Sequence, residues 1–162
     1  MISPSKYAAL LRAFACGAVL AVATAAAPLP AGPIVLARTG SDALVLWDAS
    51  SEMISLIANK MPADAMMRKL ESDAVVILGD RAKAVASGTK TLTVQVIYQR
   101  SGAISPAYQT ATFLGIEHLV AVKAPLPAAA TRGDAWAEDV RNGKTPDELT
   151  VTVSGKLPPE VH

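Results

Sequence analysis

Glu117 adjoins His118, which makes this the place in the sequence where an imidazole stands directly beside a carboxylate. A hydrolase uses such groups in relay, the imidazole taking a proton from a nucleophile while the carboxylate orients the ring. Spacing works against the pair. Neighbouring residues of a strand project to opposite faces, so Glu117 orients His118 only if the backbone bends, and Gly115 stands where a bulge or bend is expected. If His118 shares a face with Leu114, Ile116, Val120 and Val122 it is a packed or surface histidine. The catalytic candidates are therefore His118 and Glu117, with a serine or threonine brought close by folding as nucleophile.

No other cluster makes a stronger claim. The sequence holds two histidines and one cysteine, Cys16, so a metal centre of soft ligands has too few donors. Asp134, Glu138 and Asp139 offer oxygens but lack the alternating ligands, glycine and closing glutamate of a calcium loop, and no metal is expected. There is no Gly-x-Ser-x-Gly elbow, no phosphate-cradling glycine loop and no dinucleotide fingerprint, and no cofactor is expected. Arg132-Gly133-Asp134 spells a cell-adhesion tripeptide in what reads as a loop, where Asp134 also suits a helix cap. Binding is the alternative chemistry. Met53 and Met66, on successive helices, and Trp136 are the residues expected to line an apolar groove for a peptide or lipid tail.

The elements that would hold these residues follow from periodicity. The apolar segments 34–37 and 43–47 flank Thr39-Gly40-Ser41-Asp42 and read as a hairpin, the first alternatively as a neck left after processing. Asp48-Ala49-Ser50-Ser51 supplies capping side chains ahead of Met53, Ile54, Leu56, Ile57 and Met61, a short amphipathic helix. Pro62 breaks it and opens a long helix over 63–86, with Asp64 in its first turn, although 74–79 also fits a buried strand. Residues 91–99 alternate as a half-buried strand, and 108–123 form a second one that should pair with it, bringing Tyr98 near Tyr108. A Pro-Ala surface connection, a short helix over 135–141 and a last strand over 148–154 complete the pattern, with an exposed strand edge there as a second route to a partner. The fold class expected is α+β: an antiparallel sheet of about four strands with one or two helices packed on one face.

The beginning of the chain addresses location. Lys6 and Arg12 precede an apolar run over 13–22 and then Ala23-Thr24-Ala25-Ala26-Ala27, the layout of a secretory signal peptide. Residues 13–27 are too few for a spanning helix, which needs about 20, so cleavage is expected after residue 25, with Val35-Leu36-Ala37 admitting a cut as late as 37. The organisation read from this is a signal at 1–25, a neck or first strand at 26–42, one α+β domain at 43–157 and a flexible tail at 158–162. Cys16 leaves with the signal, so the processed chain has no thiol. Loss of Lys6 and Arg12 leaves 13 basic residues against 14 acidic ones, a net charge of −1 with no basic patch, which disfavours nucleic acid.

Together these features lead us to expect a small exported protein, bacterial and periplasmic or secreted. It has no transmembrane anchor after processing and acts as a non-catalytic binding or interaction module with a protein, peptide or lipid partner in the cell envelope. A small exported hydrolase using His118 is the alternative.

Overall fold

The computed structural model describes residues 27–85, 87–101 and 113–157. Its elements run β1 (Ile34–Thr39), β2 (Asp42–Asp48), α1 (Ser50–Ala58), α2 (Ala63–Ala84), β3 (Thr91–Ser101), β4 (Phe113–Pro125), α3 (Leu126–Arg141) and β5 (Thr150–Val153). The strands form one sheet in the order β1-β2-β3-β4-β5. The class is α+β, with five strands and three helices among the described residues.

The sheet is mixed, which corrects the expectation of a purely antiparallel one. β2 and β3 are parallel, Ala43 opposite Leu92 and Trp47 opposite Val96, while the other three pairings are antiparallel. The cause is the connection. A hairpin turn can only reverse the chain, whereas the stretch holding α1 and α2 is long enough to cross back and start β3 in the direction of β2. The β1–β2 hairpin needs just Gly40-Ser41, and Gly40 takes the positive φ of +59° that a tight reversal requires.

Alternation sorts the sheet into two faces. Ala43, Val45 and Trp47 of β2, Leu92, Val94, Val96 and Tyr98 of β3, and Val120, Val122 and Ala124 of β4 are buried on the helix side. α2 lies over β3 and β4, and α3 packs along α2. β4 carries one more residue than the register accommodates: Val96 pairs with Val120 and Ile97 with His118, so Leu119 is the bulge and is buried along with its neighbour Val120. A second register shift falls between Arg100 and Ser101, beside Gly115, whose φ of +140° supplies the expected bend.

The helices follow from local chemistry. Asp48 Oδ1 accepts the Ser50 amide at 3.0 Å and opens α1, and a Schellman closure ends it: the Lys60 amide donates to the carbonyl of Ile57 and the Met61 amide to that of Leu56. Lys60 carries the left-handed φ of 54° that this closure demands. Residues 74–79 are the fully buried centre of α2, since helical order satisfies their backbone within the segment while Ala74, Val75, Ile77 and Leu78 face neighbours.

α3 is longer than the short helix expected over 135–141. Pro125 caps it and Pro127 lies in its first turn, where a missing N–H costs nothing, and the alanines that follow are strong helix formers. Asp134 is therefore mid-helix, paired with Lys83 at 3.5 Å, and Arg132 pairs with Glu148. The adhesion-loop reading is overturned with it, because Gly133 is buried where α3 crosses α2 against Gly79. No helix among the described residues is long and apolar enough to cross a membrane.

Candidate functional site

The side of the sheet away from the helices has no covering layer among the described residues. It presents Val35 and Ala37 of β1, Leu44 and Leu46 of β2, Thr93, Gln95 and Ile97 of β3, Ala121 and Lys123 of β4, and Thr150 and Thr152 of β5. Val35 is 58% exposed, Ile116 53% and Leu44 38%. Register makes these a continuous surface. Val35, Leu46, Gln95, Ala121 and Thr152 lie in one row across all five strands, and Ala37, Leu44, Thr93, Lys123 and Thr150 in the next. The apolar side chains concentrate on β1 and β2, and the polar ones on β3 to β5. The Gln95 side chain reaches over to the carbonyls of Val96 and Val120, at 3.2 and 3.0 Å.

His118 belongs to this open side, since it pairs with Ile97, and it is exposed. Glu117 pairs with Tyr98, which is buried under the helices, so the imidazole and its neighbouring carboxylate fall on opposite faces. The hydroxyl nearest in the hydrogen-bond network is that of Ser154, and it donates to the main-chain carbonyl of His118 at 3.2 Å, not to the ring. The bend expected at Gly115 is present, but it leaves the alternation at 117–118 intact.

Met53, Met66 and Trp136 are all buried in the single core that joins helices to sheet. A ligand would reach these side chains only by parting α1, α2 or α3 from what they cover. His162 and Tyr108 lie outside the described residues.

A polar cluster ties α1 to α2. Lys69 Nζ lies 3.0 Å from Glu52 and 2.6 Å from Asp73, and Ser72 Oγ donates to the carbonyl of Ala137 at 2.8 Å, adding α3. Burial pushes the Asp73 carboxyl above its ordinary range against the opposing hydrogen bond from Lys69. Lys69 is itself partly desolvated, yet the two carboxylates that accept its hydrogen bonds hold it above its usual value. Glu71 is raised by burial as well, partly offset by Arg68. Lys69, Glu52, Asp73 and Ser72 each have a partner in the fold, and together they serve as an internal clasp.

At the ends of the parallel pair, Asp48, Ser50 and Gln99 close on one another. Gln99 Nε2 donates to Asp48 at 2.9 Å, and the Gln99 amide donates to the Ser50 hydroxyl at 2.9 Å. That network fixes the start of α1 against β3. No group of three or more metal-ligating side chains converges among the described residues. Helices expected on one face of the sheet already imply an open opposite side, as does the alternation at 43–47 and 91–99, but neither singles out its residues as a site.

Comparison with known proteins found no matching family model, no matching curated protein and no matching solved structure.

Proposed function

We propose that this chain is a small exported interaction module without catalysis of its own, and that its contact surface is the open side of the sheet. The observation that carries the reading is the apolar patch of Val35, Leu44 and Leu46 on a side of the sheet that no described helix covers, with Ile116 exposed on the same side farther along β4. Side chains of that kind gain about 25 cal/mol for each Å² of apolar surface removed from water, so their exposure favours association. Export, to the periplasm or beyond the cell, rests on the charged start and apolar run that precede the domain. The partner is a protein, peptide or lipid of the envelope.

Affinity capture from the native envelope tests this, with wild type beside a Leu44→Lys, Ile116→Lys double variant. Both positions are exposed, so the variant should retain its circular dichroism and melting temperature. A specific partner bound by wild type and lost from the variant is the expected result. The same partners on both proteins would overturn the assignment of the face. Hydrolysis of an ester or peptide substrate that His118→Ala abolishes would overturn the non-catalytic reading.

A further inference from the structure

β1 is an edge strand whose outer side offers backbone groups and apolar side chains together. The Asp48 amide donates to the Pro33 carbonyl at 3.0 Å, which makes 33 and 48 a hydrogen-bonded pair. Hydrogen-bonded and non-bonded pairs alternate in an antiparallel ladder, so Ile34 opposite Trp47 and Leu36 opposite Val45 are non-bonded, and both turn their N–H and C=O away from β2. Val35, 58% exposed, and Leu36, 45% exposed, project to the two sides of this strand. Soluble proteins blunt such edges with short strands, prolines, bulges or charges. β5 at the opposite edge has four residues, two of them Thr150 and Thr152, whereas β1 has six in unbroken register with no charged residue before Arg38.

We propose that β1 pairs antiparallel with β1 of a second copy of this chain, about a two-fold axis at Val35, joining two five-stranded sheets into one. In that register Ile34 of each copy exchanges both backbone hydrogen bonds with Leu36 of the other, and the two Val35 side chains meet in a non-bonded pair with Cα atoms about 4.5 Å apart. The segment answers itself, as a two-fold interface requires. Only apolar side chains meet at its centre, and Arg38 falls opposite Gly32 of the second copy, so no like charges are juxtaposed. The Val35–Leu46 rows of the two copies then run into one another across the axis, and Ala37 of each falls opposite Pro33 of the other. So short a contact covers well below the roughly 800 Å² per partner of a standard stable interface, which makes the association concentration-dependent. The edge adjoins the face proposed above and shares Val35 with it, but the cross-link reads the pairing of β1 whereas the capture reads Leu44 and Ile116, so the two can fail separately.

The test uses Val35→Cys and, at the other edge, Thr152→Cys, each in a Cys16→Ser background. A non-bonded antiparallel pair lies within disulfide reach, so mild oxidation should link Val35→Cys into a dimer in proportion to concentration while Thr152→Cys stays largely single. The wild-type sedimenting mass should rise toward twice the monomer as concentration increases. Leu36→Pro should abolish both effects while keeping the β1–β2 ladder, because it removes an outward N–H. Linkage of Val35→Cys no faster than of Thr152→Cys would overturn the proposal. So would a wild-type chain that stays a monomer at every concentration, even one that adds a foreign peptide strand at β1.

Discussion

Replacing Gly133 by alanine should destabilise the protein, although the same change in an isolated helix stabilises it. Where α3 crosses α2, a Cβ built on Gly133 would stand 2.5 Å from the Cα of Gly79 and 3.1 Å from its amide nitrogen. Ordinary contacts of a Cβ begin near 3.4 Å, so the two helices must part by close to an ångström at their crossing. Both obstructing atoms are backbone, and no side chain can swing aside. Overpacking of this kind costs about 1–3 kcal/mol, and relief of the glycine's entropy in a helix returns about 0.5–1 kcal/mol.

The net loss expected for Gly133→Ala is about 1 kcal/mol, the difference between the middles of those ranges. Gly79→Ala is the internal control. Its Cβ would meet the Cα of Gly133 at 3.0 Å, a gap that a shift of a few tenths of an ångström relieves, so propensity and crowding nearly cancel. Urea denaturation of the two variants and wild type is the assay, with the midpoint moved and the m-value constant. A Gly133→Ala protein as stable as Gly79→Ala, or more stable than wild type, would refute the close crossing of α2 and α3.

Asp73 should give stability an unusual acid-side slope. Its folded pKa is raised by burial above the ordinary 3.8, so the protonated form contributes stability that is complete below 3.8 and is lost as the pH rises through the folded value. Glu71 acts in the same sense, and Asp73→Asn should flatten the profile of unfolding free energy against pH across that window; an unchanged slope would remove Asp73 from the cause. Lys60→Gly should stabilise by about 1 kcal/mol in thermal or urea unfolding, since a left-handed φ costs an L-residue about 1–2 kcal/mol, part of which the glycine's entropy takes back. Trp47→Phe should cost more than about 1 kcal/mol, since the lost indole N–H bond to the Ala31 carbonyl adds to the volume left unfilled in a fully buried site, and limited proteolysis should then cut sooner near residue 31. On the proposed export, mass spectrometry of the processed chain should find a mature terminus before Ala31. A start at Arg38 would split β1 and discard Pro33 and Ala31, which accept bonds from Asp48 and Trp47.

What the sequence disclosed was whatever repeats along the chain. The period of two at 91–99 and of 3.6 through 63–84 both became elements close to the expected bounds, because each residue there needs only near neighbours to reveal its face. The parallel pairing of β2 with β3 has no such local mark. It depends on where 42 opposes 91 across two intervening helices, and nothing in either strand's alternation distinguishes parallel from antiparallel company. α3 was hidden for a different reason. Pro125 and Pro127 read as breakers when counted, yet at the cap and first turn they are compatible with a helix, and Gly133 reads as a loop residue when its use is close approach to Gly79.

The candidate chemistry divided along the same line. Opposite faces for Glu117 and His118 follow from strand alternation alone, and the fold keeps them apart by that rule. Met53, Met66 and Trp136 carry no local sign of whether an apolar stripe lines a groove or fills a core; the decision belongs to α3, which is twice the length expected and lies along α2. Among the described residues, helices that seal one side of the five-stranded sheet leave apolar side chains exposed on its other side and along β1. Leu44 and Val35 could not be singled out beforehand because exposure of an apolar residue is a property of the layer that fails to cover it. That no described residue covers this side becomes visible only when all five strands are in register.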